Sequence, residues 1–349
     1  MSDLRKAPVV DSRQWNTLAC QLPCSHVLQS WEWGTFKSLY GWTPARLLFE
    51  MNGRCAVASI LRRQAAPLPF SILYVPKGPL LDYNDSALFD AVLGELEGIA
   101  RQQRAIFVKI DPDVPAHHES ATTILRRRGW IPSQEQIQFR NTLHTDLRPD
   151  PDEILAAMKP KTRYNIRYAR RKGVEVRPSD NLPLFYSMYA ETGQRDRFLV
   201  RPFVYYRDVW GMFIKANLAQ LFIAWYRNEP LAGVLPFRFG NTAWYMYGAS
   251  RDRHRNLMPN YLLQWEAMLW AKTHGCTRYD WWGAPDKLDE SDPMWGVYRF
   301  KAGFAAEFVE QIGAWDFPVS RALYRLYTTL MPRYLAIRRQ IHTSMINHQ

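Results

Sequence analysis

One succession of elements is predicted twice along this sequence, and it leaves few folds open. In the first half, Ser30 is predicted to cap a helix that runs to about Tyr40. Asn52-Gly53 is the strongest short hairpin signal, and it joins predicted strands at Arg46–Met51 and Arg54–Arg62. The elements predicted after this hairpin are strand Ile72–Val75, helix Ser86–Gln103, strand Ala105–Ile110, helix His118–Arg128 and strand Gln136–Leu147. A hairpin followed by alternating strands and helices is typical of an α+β unit.

The same succession returns in the second half, after two predicted helices at Leu182–Gln194 and Pro202–Ala216. Its members are hairpin strands Leu218–Tyr226 and Leu231–Phe239, strand Thr242–Ala249, helix Pro259–His274, strand Arg278–Trp282, helix Trp295–Ala302 and strand Ala305–Ile312. The sequence therefore predicts an α+β fold with mixed, mostly antiparallel sheets flanked by helices. This order matches the GNAT type of acyltransferase fold in tandem, although a fold does not by itself decide function.

The length of the chain suits two domains, since 349 residues exceed one typical core. We predict one domain from residues 1–147 together with the C-terminal segment 314–349, and a second from residues 148–313. A helix from about Val319 to Gln340 has one apolar face, which we expect to pack onto the first domain. A basic helix on a membrane surface is the alternative for this segment.

The charge of the chain favours polyanionic partners. Its formal net charge is +12, from 45 Lys and Arg against 33 Asp and Glu. Such an excess suits nucleic acid, nucleotide diphosphates or an anionic membrane surface. Peripheral contact with the inner membrane surface is therefore one expectation.

The sequence lacks the patterns typical of a secretory signal, a membrane span and a metal site. The N-terminal residues contain no apolar stretch typical of a secretory signal, and no run approaches the roughly 18 apolar residues of a membrane span. Cys20 and Cys24 have a C-x3-C spacing with no second ligand pair nearby. We therefore predict a cytoplasmic protein with reduced thiols, no transmembrane segment and no metal site.

The turns at which acyl-CoA enzymes of this fold hold the pyrophosphate are poor in glycine here. Such enzymes surround the diphosphate with backbone N–H groups at a helix N-terminus. The equivalent turn of the second unit, residues 250–259, has no glycine, and that of the first unit, residues 77–82, has one glycine followed by proline. We predict that the acyl donor is not a CoA thioester and that the protein uses no cofactor.

A strongly basic stretch joins the two predicted units. Residues 159–173 contain seven Lys or Arg and no acid, with Pro160 and Gly173 suited to a helix start and end. Five of these cations are candidates for contacting a phosphate backbone: Lys161, Arg163, Arg167, Arg170 and Arg171. Tyr164 and Tyr168 stand one turn apart and are available for stacking on bases. The alternative is a solvated helix whose tyrosines pack inward.

Seven segments in order resemble the FemABX family of peptidoglycan bridge aminoacyltransferases. They are Gln29–Gly34 with Lys37, Tyr74–Pro79, Lys109–Pro112, Lys161–Gly173, Tyr247–Ser250, Tyr261–Glu266 and Phe300–Phe304. The resemblance spans nearly the whole chain and implies a tandem GNAT-like architecture. It also implies a cleft for a UDP-linked or lipid-linked muropeptide, with aminoacyl-tRNA as cosubstrate. No charged heptad run typical of a coiled-coil arm is present, so the chain resembles the compact, FemX-like form.

The resemblance implies which residues bind the precursor's diphosphate. Lys37 corresponds to a lysine that holds these phosphates, and an exposed helix lysine is the alternative. Arg201 and Tyr205 correspond to an arginine and a tyrosine on the same phosphates, and a guanidinium suits phosphate geometry. Arg195 and Arg197 lie close in sequence, so which arginine binds is left open.

The resemblance also implies a substrate-binding acid, Asp111, and two catalytic candidates, Phe300 and Lys301. Asp111 corresponds to an acid that lines the precursor cleft, with a turn residue before Pro112 as the alternative. Lys301, directly after Phe300, corresponds to a lysine at the reacting ester, where it would stabilise the oxyanion. Judged alone, Lys301 is a cation in the last turn of a helix, where the helix dipole favours it.

The implied reaction is attack by the amine at the third position of the stem peptide on the ester of aminoacyl-tRNA. No Ser-His-Asp or Cys-His set stands out, so we predict no covalent enzyme intermediate, and the sequence names no general base. Three alternatives stay open. They are an acyl-CoA N-acyltransferase of the same fold, a non-catalytic RNA-binding protein, and a transferase that acts on another acceptor, such as a protein N-terminus.

Overall fold

The computed structural model describes residues 4–65 and 69–330. The elements of its first half are β1 (Arg5–Pro8), α1 (Ser12–Gln21), α2 (Trp31–Ser38), β2 (Thr43–Met51), β3 (Arg54–Gln64), β4 (Ser71–Val75), α3 (Ser86–Gln102), β5 (Ala105–Ile110), α4 (Glu119–Arg127) and β6 (Ile131–Pro132). The helix α2 begins where the sequence predicts it, because the Ser30 side chain accepts a hydrogen bond from the backbone N–H of Trp33 at 3.2 Å.

The second half follows with a similar succession. Its elements are β7 (Thr142–Asp146), α5 (Pro151–Ala157), α6 (Pro160–Arg171), β8 (Glu175–Ser179), α7 (Leu182–Asp196), α8 (Phe203–Lys215), β9 (Leu221–Tyr226), β10 (Glu229–Phe239), β11 (Thr242–Ser250), α9 (Pro259–Thr273), β12 (Arg278–Asp280), α10 (Trp295–Lys301), β13 (Glu307–Val309) and β14 (Trp315–Pro318). The short elements α1, α5, β1, β6, β8 and β14 were not predicted from periodicity.

The described strands form two seven-stranded sheets with matching connectivity. Their orders are β1-β2-β3-β4-β5-β14-β6 and β13-β7-β12-β11-β10-β9-β8. In each sheet one neighbouring pair is parallel, β4 with β5 and β11 with β12, and the other pairs are antiparallel. The predicted α+β fold with mixed, mostly antiparallel sheets is confirmed.

Two strands pair across the halves of the chain. β7 hydrogen-bonds to β12 and β13, so it belongs to the second sheet although the predicted division at residue 147 puts it in the first unit. β14 follows the second unit in sequence and inserts between β5 and β6 of the first sheet. Residues 314–349 were predicted with the first unit, but neither the strand β14 nor the transfer of β7 was foreseen, because alternating apolar residues identify a strand but not its partner.

A shared core fixes the two halves against each other. Trp15 of α1 and Phe36 of α2 are fully buried in one cluster with Trp210 and Phe213 of α8 and with Phe237 of β10. Aromatic side chains bury large areas and dominate such packing. The helices α2 and α8, from different halves, therefore lie side by side.

The described part of the predicted C-terminal helix, residues 321–330, packs against β5. The rings of Tyr324 and Tyr327 each lie 5.5 Å from that of Phe107. Leu326 and Leu330, two members of the predicted apolar face, are exposed instead. Residues 331–349, with the rest of this prediction, lie outside the described residues. No described helix combines the length and the apolar character needed to cross a bilayer.

Candidate active site

The parallel strands β11 and β12 separate and open a cavity in the second half. They pair only from Thr242 to Trp244, whereas β11 continues to Ser250. The cavity has a volume of about 350 Å³ and is bounded by β11, α7, α9 and α10. Its lining includes the side chains of Arg195, Tyr245, Ser250, Asn260 and Phe300. A ligand held here would meet a largely preformed pocket.

Lys301 is buried beside this cavity at the end of α10. Its ammonium donates a hydrogen bond to the carbonyl oxygen of Gly283 at 2.6 Å and lies 5.7 Å from the centre of the Tyr245 ring. Burial lowers the pKa of Lys301 to about 8, and the charge of Asp280 opposes this shift. Among the described residues no carboxylate lies within ion-pair distance of it. Lys301 is therefore a buried cation whose charge is only partly compensated by its neighbours.

Phe300, the residue before Lys301, forms part of the cavity wall. Its ring packs edge-on against Tyr261 at 5.1 Å and against Phe304 at 5.2 Å. These contacts fix the end of α10, since the rings bury apolar area on both sides. Phe300 thus lines the cavity, and Lys301 adjoins it through the ring of Tyr245. The catalytic roles predicted for both residues stay predictions.

The turn between β11 and α9 presents side chains to the cavity, where a glycine-rich turn would present backbone N–H groups. Residues 255–257 form a 3-10 turn, and α9 begins at Pro259, which has no backbone N–H. Ser250, Arg255 and Asn260 face the cavity from this turn and the helix start. This geometry is consistent with the predicted lack of a CoA phosphate loop.

A second candidate site lies where α2 meets α8. Lys37 is partly buried among three aromatic rings, and Arg201 lies 4.6 Å over the ring of Tyr205. Burial, together with the nearby charges of Arg201 and Arg63, lowers the pKa of Lys37 to about 8. We call Lys37, Arg63 and Arg201 the cation cluster. No acidic side chain of the described residues pairs with any of the three.

Tyr205 connects the cation cluster to both halves of the chain. Its ring lies 5.0 Å from that of Phe36 and 4.7 Å from that of Tyr40, both from the α2 region. The structure therefore brings Lys37, Arg201 and Tyr205 together, as the predicted shared phosphate site requires. Contact with phosphate itself stays a prediction.

The neighbouring arginines have other partners or positions. Arg195 forms an ion pair with Asp196 at 2.9 Å and donates to the carbonyl oxygen of Ser250 at 2.7 Å, so it lines the cavity of the second half. Arg197 ends α7 in a left-handed conformation with φ 59°. Of the three arginines, Arg201 is the one that lies beside Lys37.

Asp111 is enclosed in a hydrogen-bond network rather than open to a cleft. It is 3% exposed, and its carboxylate accepts from the Tyr74 hydroxyl and from the backbone N–H of Lys77, each at 2.6 Å. Burial raises the pKa of Asp111 to about 6, although these partners oppose the shift. Asp111 thus fastens the two motif segments at the ends of β4 and β5. Its predicted contact with the substrate stays a prediction.

A buried polar cluster joins the two sheets and was not foreseen from the sequence. Lys77 pairs with Asp113 at 2.8 Å, and Asp113 lies 3.8 Å from His26. Burial lowers the pKa of His26 to about 4. Burial alone would raise the pKa of Asp280, but its bonds to His144 and other donors hold it well below its usual range. No local motif marks these residues, because each comes from a different element.

The basic helix α6 begins beside the end of α10. The backbone N–H of Lys159 donates to the carbonyl oxygen of Gly303 at 3.0 Å. A Cβ atom on Gly303 would lie 2.4 Å from the hydroxyl of Thr162, so the two segments are in close contact. The predicted RNA-binding helix is therefore adjacent to the segment that carries Lys301.

The five predicted phosphate-contacting cations of α6 fall into two groups. Arg163 donates to the backbone carbonyls of Ala156 and Met158, and Arg170 forms an ion pair with Glu266 at 2.8 Å. The other three are exposed and have no acidic partner among the described residues: Lys161, Arg167 and Arg171. The second group is the one free to meet phosphates.

The tyrosines of α6 do not both pack inward. Tyr164 is 56% exposed, and its ring is stacked on that of Tyr168 at 5.8 Å and 23°. Arg171 and Lys172 lie over these rings at 6.0 Å and 5.5 Å. The outer face of α6 thus combines cations with a ring surface.

Among all the described residues, no group of three or more His, Cys, Asp or Glu side chains is arranged to hold a metal ion.

Comparison with known sequences identifies one family. The sequence model of the FemAB family matches residues 11–126, 131–227 and 215–331. A lipid II:glycine glycyltransferase of Staphylococcus epidermidis is 25% identical over 396 residues, covering 93% of this chain and 95% of the relative. The protein of the same name from Staphylococcus aureus is 25% identical and covers 89% and 92%.

Comparison with solved structures agrees on the fold. The crystal structure of FemX superposes with a TM-score of 0.85 at 24% identity, over 92% of this chain and 99% of that one. A tandem GNAT protein from the clavulanic acid biosynthesis pathway gives a TM-score of 0.54 at 14% identity, over 91% and 99%. The predicted tandem GNAT-like architecture is therefore confirmed.

Proposed function

Since this chain belongs to the FemAB family, we propose that it transfers an amino acid from aminoacyl-tRNA to an amine on the stem peptide of a peptidoglycan precursor. Its relatives named lipid II:glycine glycyltransferases support amino-acid transfer to such a precursor. The proposal depends most on one observation: the Lys301 ammonium is buried beside the cavity of the second half without a carboxylate partner in the described residues.

The acceptor end of the proposal uses the cation cluster. A diphosphate carries negative charges that both cations can bind. Lys37 supplies a compact positive charge, and the planar guanidinium of Arg201 supplies several N–H donors. Neither cation has an acidic partner in the described chain, so the binding of an anionic ligand would break no ion pair within the protein. A muropeptide diphosphate, nucleotide-linked or lipid-linked, supplies such an anion.

The donor end uses the cavity and α6. An aminoacyl ester in the cavity would lie near Phe300 and Lys301, and the tRNA backbone would run over the exposed cations of α6. The contact between Lys159 and Gly303 supports this path, because it places the start of α6 beside the Lys301 segment. The basic surface and the reaction site are thus continuous.

The proposed reaction needs no covalent intermediate on the protein. The amine nitrogen attacks the ester carbonyl carbon, a C–N bond forms, and the carbonyl oxygen becomes an oxyanion. The Lys301 ammonium keeps two N–H groups besides the one that it gives to Gly283, and it stabilises that oxyanion. The C–O bond to the ribose then breaks, and the proton released by the amine goes to the ribose oxygen. Alignment of the two reactants supplies much of the remaining acceleration.

The test is a reconstitution with defined donors and acceptors. Purified protein, charged tRNA and a UDP-linked or lipid-linked muropeptide are incubated, and the products are analysed by mass spectrometry. We expect a mass increase of one amino-acid residue that disappears when the tRNA is digested with RNase. Parallel reactions replace charged tRNA with free amino acid or with acetyl-CoA. Product from acetyl-CoA without tRNA would favour the acyl-CoA alternative and contradict the proposal.

A further inference from the structure

Three exposed aliphatic side chains lie close in sequence to Lys37 and Arg201 of the cation cluster. We call Leu39, Leu199 and Val204 the apolar rim, and they are 58%, 79% and 51% exposed. Each lies within two or three residues in sequence of a member of the predicted phosphate site: Leu39 after Lys37, and Leu199 and Val204 on either side of Arg201. Single exposed apolar residues are common on protein surfaces, so position must carry the argument.

The packing of α2 on α8 brings together two of the segments that carry the rim. Leu39 directly precedes Tyr40, and Val204 directly precedes Tyr205. The rings of these two tyrosines are 4.7 Å apart, and the Tyr40 hydroxyl donates to Asp208 of α8 at 2.9 Å. Two rim residues from different halves of the chain therefore flank one contact.

Leu199 is held outward by an ordered loop. On either side of it, Phe198 packs against the ring of Tyr189 at 5.4 Å, and Val200 lies so close to α7 that a Cβ on Gly193 would be 2.3 Å from it. The backbone N–H of Phe198 also donates to the carbonyl oxygen of Gly193 at 3.1 Å. Because both neighbours of Leu199 pack inward, its own side chain projects from the loop.

The far end of the loop is fixed through the backbone of Arg201. The Tyr186 hydroxyl donates to its carbonyl oxygen at 3.0 Å, and its N–H donates to the Tyr206 hydroxyl at 3.3 Å. An exposed leucine on so constrained a loop keeps its apolar surface in water in the free protein. That surface is available to an apolar partner without reorganisation of the loop.

We propose that the apolar rim inserts into the surface of an anionic lipid bilayer, with the cation cluster at the level of the lipid phosphates. Aliphatic side chains beside unpaired Lys and Arg match the boundary between acyl chains and anionic headgroups. The net charge of +12 draws the protein to the same surface.

What bilayer insertion means for the choice of acceptor rests on the proposed function. The diphosphate of a lipid-linked acceptor lies at the headgroup level while its hydrocarbon chain stays in the bilayer. A rim that enters the bilayer would set the cation cluster at that level, so the acceptor would be taken in its lipid-linked form. A nucleotide-linked acceptor reaches the cluster through water and has no use for the rim.

The test is sedimentation of the full chain with vesicles of phosphatidylglycerol and phosphatidylcholine in equal amounts. We expect the wild type to bind, and the triple variant Leu39→Ser, Leu199→Ser, Val204→Ser to lose at least about tenfold in its vesicle partition coefficient. Leu288→Ser, which changes a leucine of 49% exposure in the segment between β12 and α10, should bind as the wild type does. Equal binding by the triple variant, or no binding by the wild type, would overturn the inference.

A second measurement separates this inference from the proposed function. With a water-soluble nucleotide-linked acceptor, the triple variant should keep wild-type turnover, which also shows that it folds. With a lipid-linked acceptor in vesicles, its turnover should fall about as much as its partition coefficient. If the wild type acts on neither acceptor, the proposed function is wrong, and the vesicle binding still decides the role of the rim. Leu199→Ser alone serves if the triple variant is unfolded.

Discussion

Lys301 and Tyr245 form a pair in which the ammonium nitrogen lies 5.7 Å from the centre of the aromatic ring. The tyrosine comes from β11 and lines the cavity, and the lysine comes from the end of α10. A ring face and one carbonyl oxygen compensate a buried charge only in part, since both are neutral. The pair therefore leaves Lys301 with positive charge for an anion that develops nearby.

Replacement of Lys301 by methionine should mainly lower turnover. The change keeps most of the side-chain volume and removes the oxyanion donor, so we expect kcat to fall roughly 10²–10³-fold. The KM for the acceptor should change little, because the acceptor is held at the cation cluster. Steady-state kinetics check this, with the exposed Lys287→Met as control. Full activity in Lys301→Met would remove it from the mechanism.

Replacement of Lys37 or Arg201 by methionine should affect acceptor binding instead. Removal of one charge-assisted hydrogen bond predicts a KM for the acceptor roughly 10–100-fold higher, with kcat at saturation near that of the wild type. The matched control is Lys215→Met, which removes an exposed cation from the last turn of α8. A fall in kcat without a change in KM would contradict this assignment.

Acceptor affinity should also depend on pH in a defined direction. The pKa of Lys37 in the free protein is about 8, so its ammonium is present below that pH and is lost above it. We therefore expect the dissociation constant of a muropeptide diphosphate to rise as the pH increases through about 8. Titration calorimetry over this range tests it, and the Lys37→Met variant should lack this part of the dependence.

Charge reversal on α6 should weaken tRNA binding and its salt dependence. Arg167→Glu and Arg171→Glu each remove a free cation, so the slope of log K against log salt should fall by about 0.7–0.9 for each phosphate that the helix no longer neutralises. Fluorescence anisotropy with labelled tRNA at several salt concentrations measures the slope. Lys215→Glu makes the same charge change elsewhere and should have a smaller effect. Equal effects would indicate general attraction without a binding surface on α6.

A methyl group at Gly248 should narrow the donor cavity. A Cβ there would lie 2.1 Å from the hydroxyl oxygen of Tyr245, so the ring beside Lys301 must move. We expect Gly248→Ala to lower kcat/KM for the aminoacyl donor while the acceptor still binds. Gly98→Ala is the control, because nothing lies within 4 Å of its Cβ inside α3. That control should stabilise the protein by about 0.5–1 kcal/mol.

The buried His26 should make stability depend on acid pH. Its pKa is about 4 in the folded protein and 6.5 as the ordinary value, so the unfolded chain takes up a proton first as pH falls. The contribution of neutral His26 to the free energy of unfolding is fully present above about pH 6.5 and decreases as the pH falls towards 4. Between about pH 6.5 and 4.5 the loss should be about 2–3 kcal/mol.

Urea unfolding of His26→Asn tests this origin of the pH dependence. Asparagine can accept the hydrogen bond that the His26 ring receives from the backbone N–H of Leu28 at 3.0 Å, and it does not titrate. We expect the variant to lose less stability than the wild type between about pH 6.5 and 4.5. An identical loss in both proteins would assign the effect to other groups.

Much of the fold followed from the sequence because its signals are local. The Asn52-Gly53 hairpin, the Ser30 cap and the apolar period of α3 depend on consecutive residues, and each was predicted within a few residues of its observed bounds. The basic character of α6 was also evident, since it needs only composition. The transfer of β7 to the second sheet and the strand β14 within the first sheet were not evident, because a strand's pattern carries no record of its partner.

The candidate site divides in the same way. The sequence, with the family resemblance, named Lys37, Arg201 and Lys301, but each was an ordinary surface lysine or arginine when judged by its neighbours in the chain. Only the packing of α2 on α8 placed Lys37 beside Arg201, and only the packing of α10 against Tyr245 and Gly283 buried Lys301. Burial and charge–charge distance set the pKa and the ligand preference of these groups. Both quantities arise from residues distant in sequence, so they exist only once the chain has folded.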